Sequence, residues 1–106
     1  MKNLDLEATK ITPEVHLNAK TGVLVFSGRS IPEDPGTFFG KILEWMEEYF
    51  KGGDKGGTAE FNLEYVNSGS SKYLLEIIRR MNDTHLKGME SKIIWMYEED
   101  DESIME

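Results

Sequence analysis

Three hydroxyls fall within four residues in Ser68-Gly69-Ser70-Ser71, with Lys72 directly behind them and a helical pattern following. Hydroxyls at a helix start can do two kinds of chemistry. One can cap the helix by accepting a hydrogen bond from an unpaired N–H of the first turn, and Ser70 or Ser71 is expected to take that part. Another can accept a phosphoryl group, which brings a charge of about −1.5 to −2 at neutral pH. The positive end of the helix and a nearby cation would stabilise that charge. Lys72 is adjacent, and Arg29, at the end of another expected strand, is a second cation if the sheet order brings it close. Gly69 gives the backbone latitude to turn Ser68 outward. The residues alone leave capping without regulation and regulated phosphorylation both open.

Other constellations fail for stated reasons. His16 falls in a strand pattern and His85 in an expected loop after the second helix, without the paired acidic or cysteine spacing of a metal site. Glu98 to Glu102 is a run of five carboxylates, but it lacks the glycine and alternate-ligand spacing of a calcium loop. Gly36-Thr-Phe-Phe-Gly-Lys41 is followed by Ile42 and lies inside a helix, so it is not a phosphate loop. No Ser–His–acid set assembles. Catalysis, a metal centre and a bound cofactor are therefore not expected.

Composition narrows the partners. The chain has 106 residues and no cysteine, with 20 acidic against 12 basic side chains and a net charge of −8. One domain is the simplest organisation, spanning residues 1–97, with 98–106 as an acidic tail. Nucleic-acid binding needs Lys and Arg to neutralise phosphates, so an acidic chain without a basic stripe argues against it. Anionic membrane surfaces are disfavoured on the same ground. The first ten residues lack the apolar core of a signal peptide, and no apolar run approaches the roughly 20 residues of a membrane span. A cytoplasmic location is expected.

The elements that must position the serines are legible from hydrophobic period. Val15 and Leu17 alternate with polar neighbours, Val23 to Phe26 is a compact apolar run, and Asn18 to Gly22 supplies a turn, which predicts a hairpin. A short extended piece is expected before Pro13, around Leu6 to Ile11. Asp34 and Pro35 open a first helix that carries Phe38, Phe39, Ile42, Leu43, Met46, Tyr49 and Phe50 at helical spacing. Trp45 and Trp95 are expected in the core. Gly52 to Gly57 reads as a flexible loop. In the next strand Phe61, Leu63 and Tyr65 share one face. A second helix follows the serines, and Ser91 to Tyr97 reads as a strand apolar on both sides and covered on both faces. The expectation is an α/β domain in which a hairpin precedes β-α-β-α-β, with helices packed on a mixed sheet and the chemistry where strands end and helices begin.

Three blocks also resemble a known family: Ala8 to Phe50, Phe61 to Ile78 and Ile93 to Glu106. With its Ser-Gly-Arg-Ser segment (27–30), its Pro-Glu-Asp-Pro segment (32–35) and its Tyr-x-Asn-Ser loop (65–68), the chain is similar to the SiaC-like regulatory phosphoproteins of bacteria. The resemblance implies a small fold like that of the STAS domains of anti-sigma-factor antagonists. It implies partner switching, in which a dedicated serine/threonine kinase phosphorylates a loop hydroxyl and a PP2C-type phosphatase removes the group. The unphosphorylated form would then bind and activate a diguanylate cyclase, promoting biofilm behaviour. Carried onto this sequence, the acceptor is Ser68, with Ser70 and Ser71 as alternatives. Asn67 would shape the loop, and Arg29 and Ser30 would lie at the same surface. A constitutive adaptor, or an anti-sigma-factor antagonist with another partner, is the competing expectation.

Overall fold

The computed structural model describes residues 2–51, 56–86, 88 and 90–95. The chain runs β1 (Leu4–Leu6), β2 (Glu14–Leu17), β3 (Val23–Ser30), α1 (Pro35–Phe50), β4 (Gly57–Val66), α2 (Ser68–Leu86) and β5 (Ser91–Trp95). The five strands form one sheet in sequence order. The pairs β1–β2 and β2–β3 are antiparallel, whereas β3–β4 and β4–β5 are parallel. Each helix bridges a parallel pair, and right-handed crossovers put both on the same face of the sheet.

The hairpin closes through Asn18, whose Oδ1 accepts from the N–H groups of Lys20 and Thr21 at 2.9 and 3.0 Å. Gly22 completes it at φ +74°, and a Cβ there would stand 2.5 Å from the Tyr49 hydroxyl. On the helix-bearing face Leu24, Phe26, Ala59 and Phe61 are buried against Phe39, Ile42, Met46, Ile77 and Met81. The Phe26 and Phe61 rings stack at 5.0 Å between centroids. Alternate residues Glu14, His16, Asn62 and Glu64 face out on the other side and are exposed. His16 sits there between two carboxylates, its Nδ1 2.8 Å from Asp5, and that hydrogen bond raises its pKa.

Several expectations need correction. The N-terminal strand is Leu4–Leu6, not Leu6 to Ile11. Thr9 closes a local turn instead, its hydroxyl accepting from the N–H of Thr12 at 2.9 Å, and such local bonds compete with strand pairing. Among the described residues β5 is, like β1, an edge strand and is not covered on both faces; Ile93 and Trp95 are each 39% exposed. Trp95 leans on Phe61 at 5.0 Å rather than entering the core, whereas Trp45 is buried and donates its indole N–H to the Lys2 carbonyl at 2.9 Å. α2 continues through Leu86, so His85 belongs to its last turn and not to a loop. Gly57 opens β4, while residues 52–55 of the expected loop lie outside the described residues. The acidic tail and Glu98 to Glu102 likewise lie outside them.

Candidate functional site

The chain leaves β4 and enters α2 with a single residue, Asn67, between the two elements. That junction lies beside the end of β3, because Arg29 pairs with Tyr65 and Ser30 with Val66. The register shifts one pair earlier, where Gly28 opposes Leu63, so Glu64 is the extra residue of a β-bulge. The bulge reverses the phase of β4. Tyr65 therefore leaves the face shared by Phe61 and Leu63 and stands 62% exposed, contrary to simple alternation.

Asn67, not Ser70 or Ser71, caps α2. Its Oδ1 accepts from the Ser70 N–H at 2.8 Å and its Nδ2 donates to the Pro32 carbonyl at 3.3 Å. Its own N–H donates to the Ser30 carbonyl at 2.9 Å. The cap residue was legible: asparagine directly before an amphipathic run is a leading N-cap signal. The partner on Pro32 was not, because it comes from the other strand-to-helix connection.

The three serines have different fates. Ser70 is fully buried, and its hydroxyl donates to the Ser30 carbonyl at 3.0 Å while accepting from the Ser30 hydroxyl at 2.9 Å. Ser71 is exposed, but its hydroxyl returns to the Asn67 carbonyl at 3.2 Å. Ser68 occupies the first helical position and is exposed, and among the described residues its hydroxyl has no hydrogen-bond partner. Of the loop's three hydroxyls, Ser68 alone is both exposed and free.

Gly69 has a different part from the one its type suggested. Its φ is not positive; what matters is the missing side chain, since a Cβ would meet the Pro35 ring at 3.0 Å. The start of α2 thus lies against the start of α1. Tyr73 continues this contact, stacking on Phe39 at 5.3 Å and passing over Gly36, where a Cβ would sit 3.1 Å from its hydroxyl. Tyr73 was not marked by spacing, because it matters only once the two helices lie side by side.

The charges are arranged to leave the start of α2 cationic. The first turn of α2 contains no acidic residue, and its cap is a neutral amide. Lys72, one turn behind Ser68, is exposed and has no ion pair among the described residues. Arg29 is exposed and pairs with Glu64 at 3.6 Å, at an open cleft of about 440 Å³ lined also by Ile31 and Tyr65. Ser30, next in the strand, turns inward and is fully buried. The two therefore do not share a surface as expected: Ser30 supports the loop from beneath, and Arg29 stands on the other side of the sheet. Among the described residues there is no His, Cys, Asp and Glu grouping that would hold a metal. Nor is any helix long and apolar enough to cross a membrane.

The comparisons with known proteins agree with this geometry. A crystal structure of apo-SiaC from Pseudomonas aeruginosa superposes with a TM-score of 0.93 at 25% identity, covering 99% of this chain and 87% of that one. SiaC in a crystal structure of the diguanylate cyclase SiaD in complex with its activator, from the same organism, matches with a TM-score of 0.91 at 25% identity, over 96% and 84% of the two chains. An uncharacterised protein of P. aeruginosa strain UCBPP-PA14 is 26% identical over 106 residues, which is all of this chain and 84% of the relative. The family model for SiaC family regulatory phosphoproteins matches residues 6–106, and the chain is a member of that family.

Proposed function

We propose that this chain is a phosphorylation-switched activator of a diguanylate cyclase, and that Ser68 is the residue modified. The observation that carries the reading is the division of labour among the serines. Ser70 is buried and fully bonded, Ser71 is tied to Asn67, and Ser68 presents a free hydroxyl. A phosphate on Ser68 lies at the positive end of α2, whose own first turn carries no carboxylate. A relative of the same fold is found in complex with a diguanylate cyclase as its activator, which supports the same class of effector here. A serine/threonine kinase would add the phosphate and a PP2C-type phosphatase would remove it. The added charge then repels or dislodges a partner that fits the bare surface.

Cyclase turnover in the presence of the native chain, Ser68→Ala and Ser68→Asp tests the switch. The native chain and Ser68→Ala are expected to activate alike, and Ser68→Asp at least about tenfold less, a difference of about 1.4 kcal/mol in binding. Equal activation by all three points to a constitutive adaptor. Activation of no cyclase at all points to another effector. Ser68→Asp should unfold no more easily than the native chain, since an anion in the first turn stabilises a helix.

A further inference from the structure

We infer that Ser30 is a positioning residue for the phosphoacceptor: its buried hydroxyl fixes the first turn of α2 so that Ser68, and not Ser70, is offered to a kinase. The inference rests on the reading of Ser68 as the modified serine. Ser30 ends β3 and Ser70 lies in α2, 40 residues later, yet both are fully buried and face each other. The Ser30 hydroxyl donates to Ser70 Oγ at 2.9 Å, and Ser70 donates onward to the Ser30 carbonyl at 3.0 Å. The same carbonyl accepts the Asn67 N–H at 2.9 Å. Both hydroxyl protons are spent, and the circuit is closed.

Such a pair contributes little net stability, because an apolar pair of the same shape would avoid burying four polar functions. What it adds is direction. An apolar contact would let the helix end rotate or slide, whereas two directional hydrogen bonds fix its angle about its own axis. Successive helical residues turn by about 100°, so with Ser70 held inward Ser68 is carried about 200° round, toward solvent. Gly69 lies close enough to Pro35 that an added Cβ would stand 3.0 Å from its ring, so the same turn also packs against the start of α1. Ser30 thus acts on the acceptor through Ser70 and never touches it.

The test compares the full-length native chain with Ser30→Ala and Ile77→Val, using the serine/threonine kinase that phosphorylates the native chain. Ile77→Val removes a buried methyl group from α2 and serves as a control for loss of stability alone. Phosphopeptide mapping and kcat/KM are the readouts. For Ser30→Ala, kcat/KM at Ser68 should fall about tenfold through misplacement of the hydroxyl, with part of the phosphate moving to Ser70. Ile77→Val should keep the native rate and modify Ser68 alone. Ser30→Ala modified only on Ser68 at the native rate would overturn the inference, as would Ile77→Val redistributing phosphate to the same extent. A native chain phosphorylated elsewhere than Ser68 would instead remove the reading on which the inference stands. Amide exchange at Ser70 and Ser71 gives a readout independent of the kinase, and it should accelerate in Ser30→Ala and not in Ile77→Val.

Discussion

The two helices each follow a strand of a parallel pair, α1 after the four residues 31–34 and α2 after Asn67 alone, and the two starts are built on opposite principles. α1 begins with a carboxylate. Asp34 accepts from the Thr37 N–H at 3.3 Å and from the Thr37 hydroxyl at 2.7 Å, with Pro35 in the first turn. Those bonds hold the Asp34 carboxyl below its ordinary value, the Thr37 hydroxyl being the main cause. α2 begins with an amide, and its cap bonds reach the Ser30–Pro32 segment of another connection. At α1 the positive helix end is answered by a fixed negative charge, and the hydroxyl of its first turn is consumed. At α2 the positive end is left unanswered and one hydroxyl is free. The proposed switch would use the start whose own cap is neutral and whose framework is supplied from elsewhere.

Exchanging the two caps tests that contrast most severely. Asn67→Asp keeps an acceptor for the Ser70 N–H but replaces the donor to the Pro32 carbonyl with a second oxygen. Two acceptors then face each other, and a cost of about 2 kcal/mol is expected in urea denaturation at pH 7. The reciprocal Asp34→Asn keeps the cap geometry and should unfold at nearly the native midpoint at pH 7, since Asn and Asp cap comparably. Its effect lies in the pH dependence. A carboxylate whose pKa is depressed by folding contributes stability in full above its unfolded value, near 3.8. That contribution is lost as pH falls through the lower folded value. Native stability should therefore fall below that of Asp34→Asn on acidification below about pH 3.8, opening a difference that is absent at pH 7. If Asn67→Asp proves as silent as Asp34→Asn, the two starts are not distinct.

A smaller effect separates the electrostatic contributions at α2. Lys72 follows Ser68 by four residues, the spacing at which helical side chains meet. In the phosphorylated chain its ammonium should favour the phosphate dianion and lower the second phosphate pKa from its usual value near 6. Lys72→Met should raise it by about 0.2–0.4 pH units, read by phosphorus NMR titration. No difference would leave the helix end itself as the only source of stabilisation.

How far this contrast could be read from sequence follows from the same distinction. The α1 start is local: Asp34, Pro35 and Thr37 lie within four residues and interact with one another, so cap and boundary are visible in the chain. The order of elements and the mixed sheet were legible for a similar reason, since hydrophobic period reports which face each segment buries. The α2 start was located correctly but its parts were misassigned. Capping was expected from Ser70 or Ser71 although Asn67 carried the local signal; the inward turn of Ser70 carried none, because it depends on Ser30 across the sheet. Tyr65 was expected on the core face, because the bulge at Glu64 has no composition signal. Arg29 and Ser30 were expected on one surface, although adjacent strand residues alternate between faces. What stayed hidden is what only tertiary pairing creates.

The smallest expected effect is also the most direct comparison of the two first turns. Ser68→Ala removes a hydroxyl that bonds to nothing among the described residues, so stability should stay within about 0.5 kcal/mol of native. Thr37→Val removes a hydroxyl of similar exposure whose hydrogen bond closes the α1 cap, and it should lower the unfolding midpoint measurably more. Both substitutions are on the surface and each deletes one hydroxyl, so burial cannot explain a difference between them. If Ser68→Ala destabilises as much as Thr37→Val, the Ser68 hydroxyl is engaged in the folded state. It would then have to be released before it could accept a phosphate, and the contrast between a closed and an open helix start would fail.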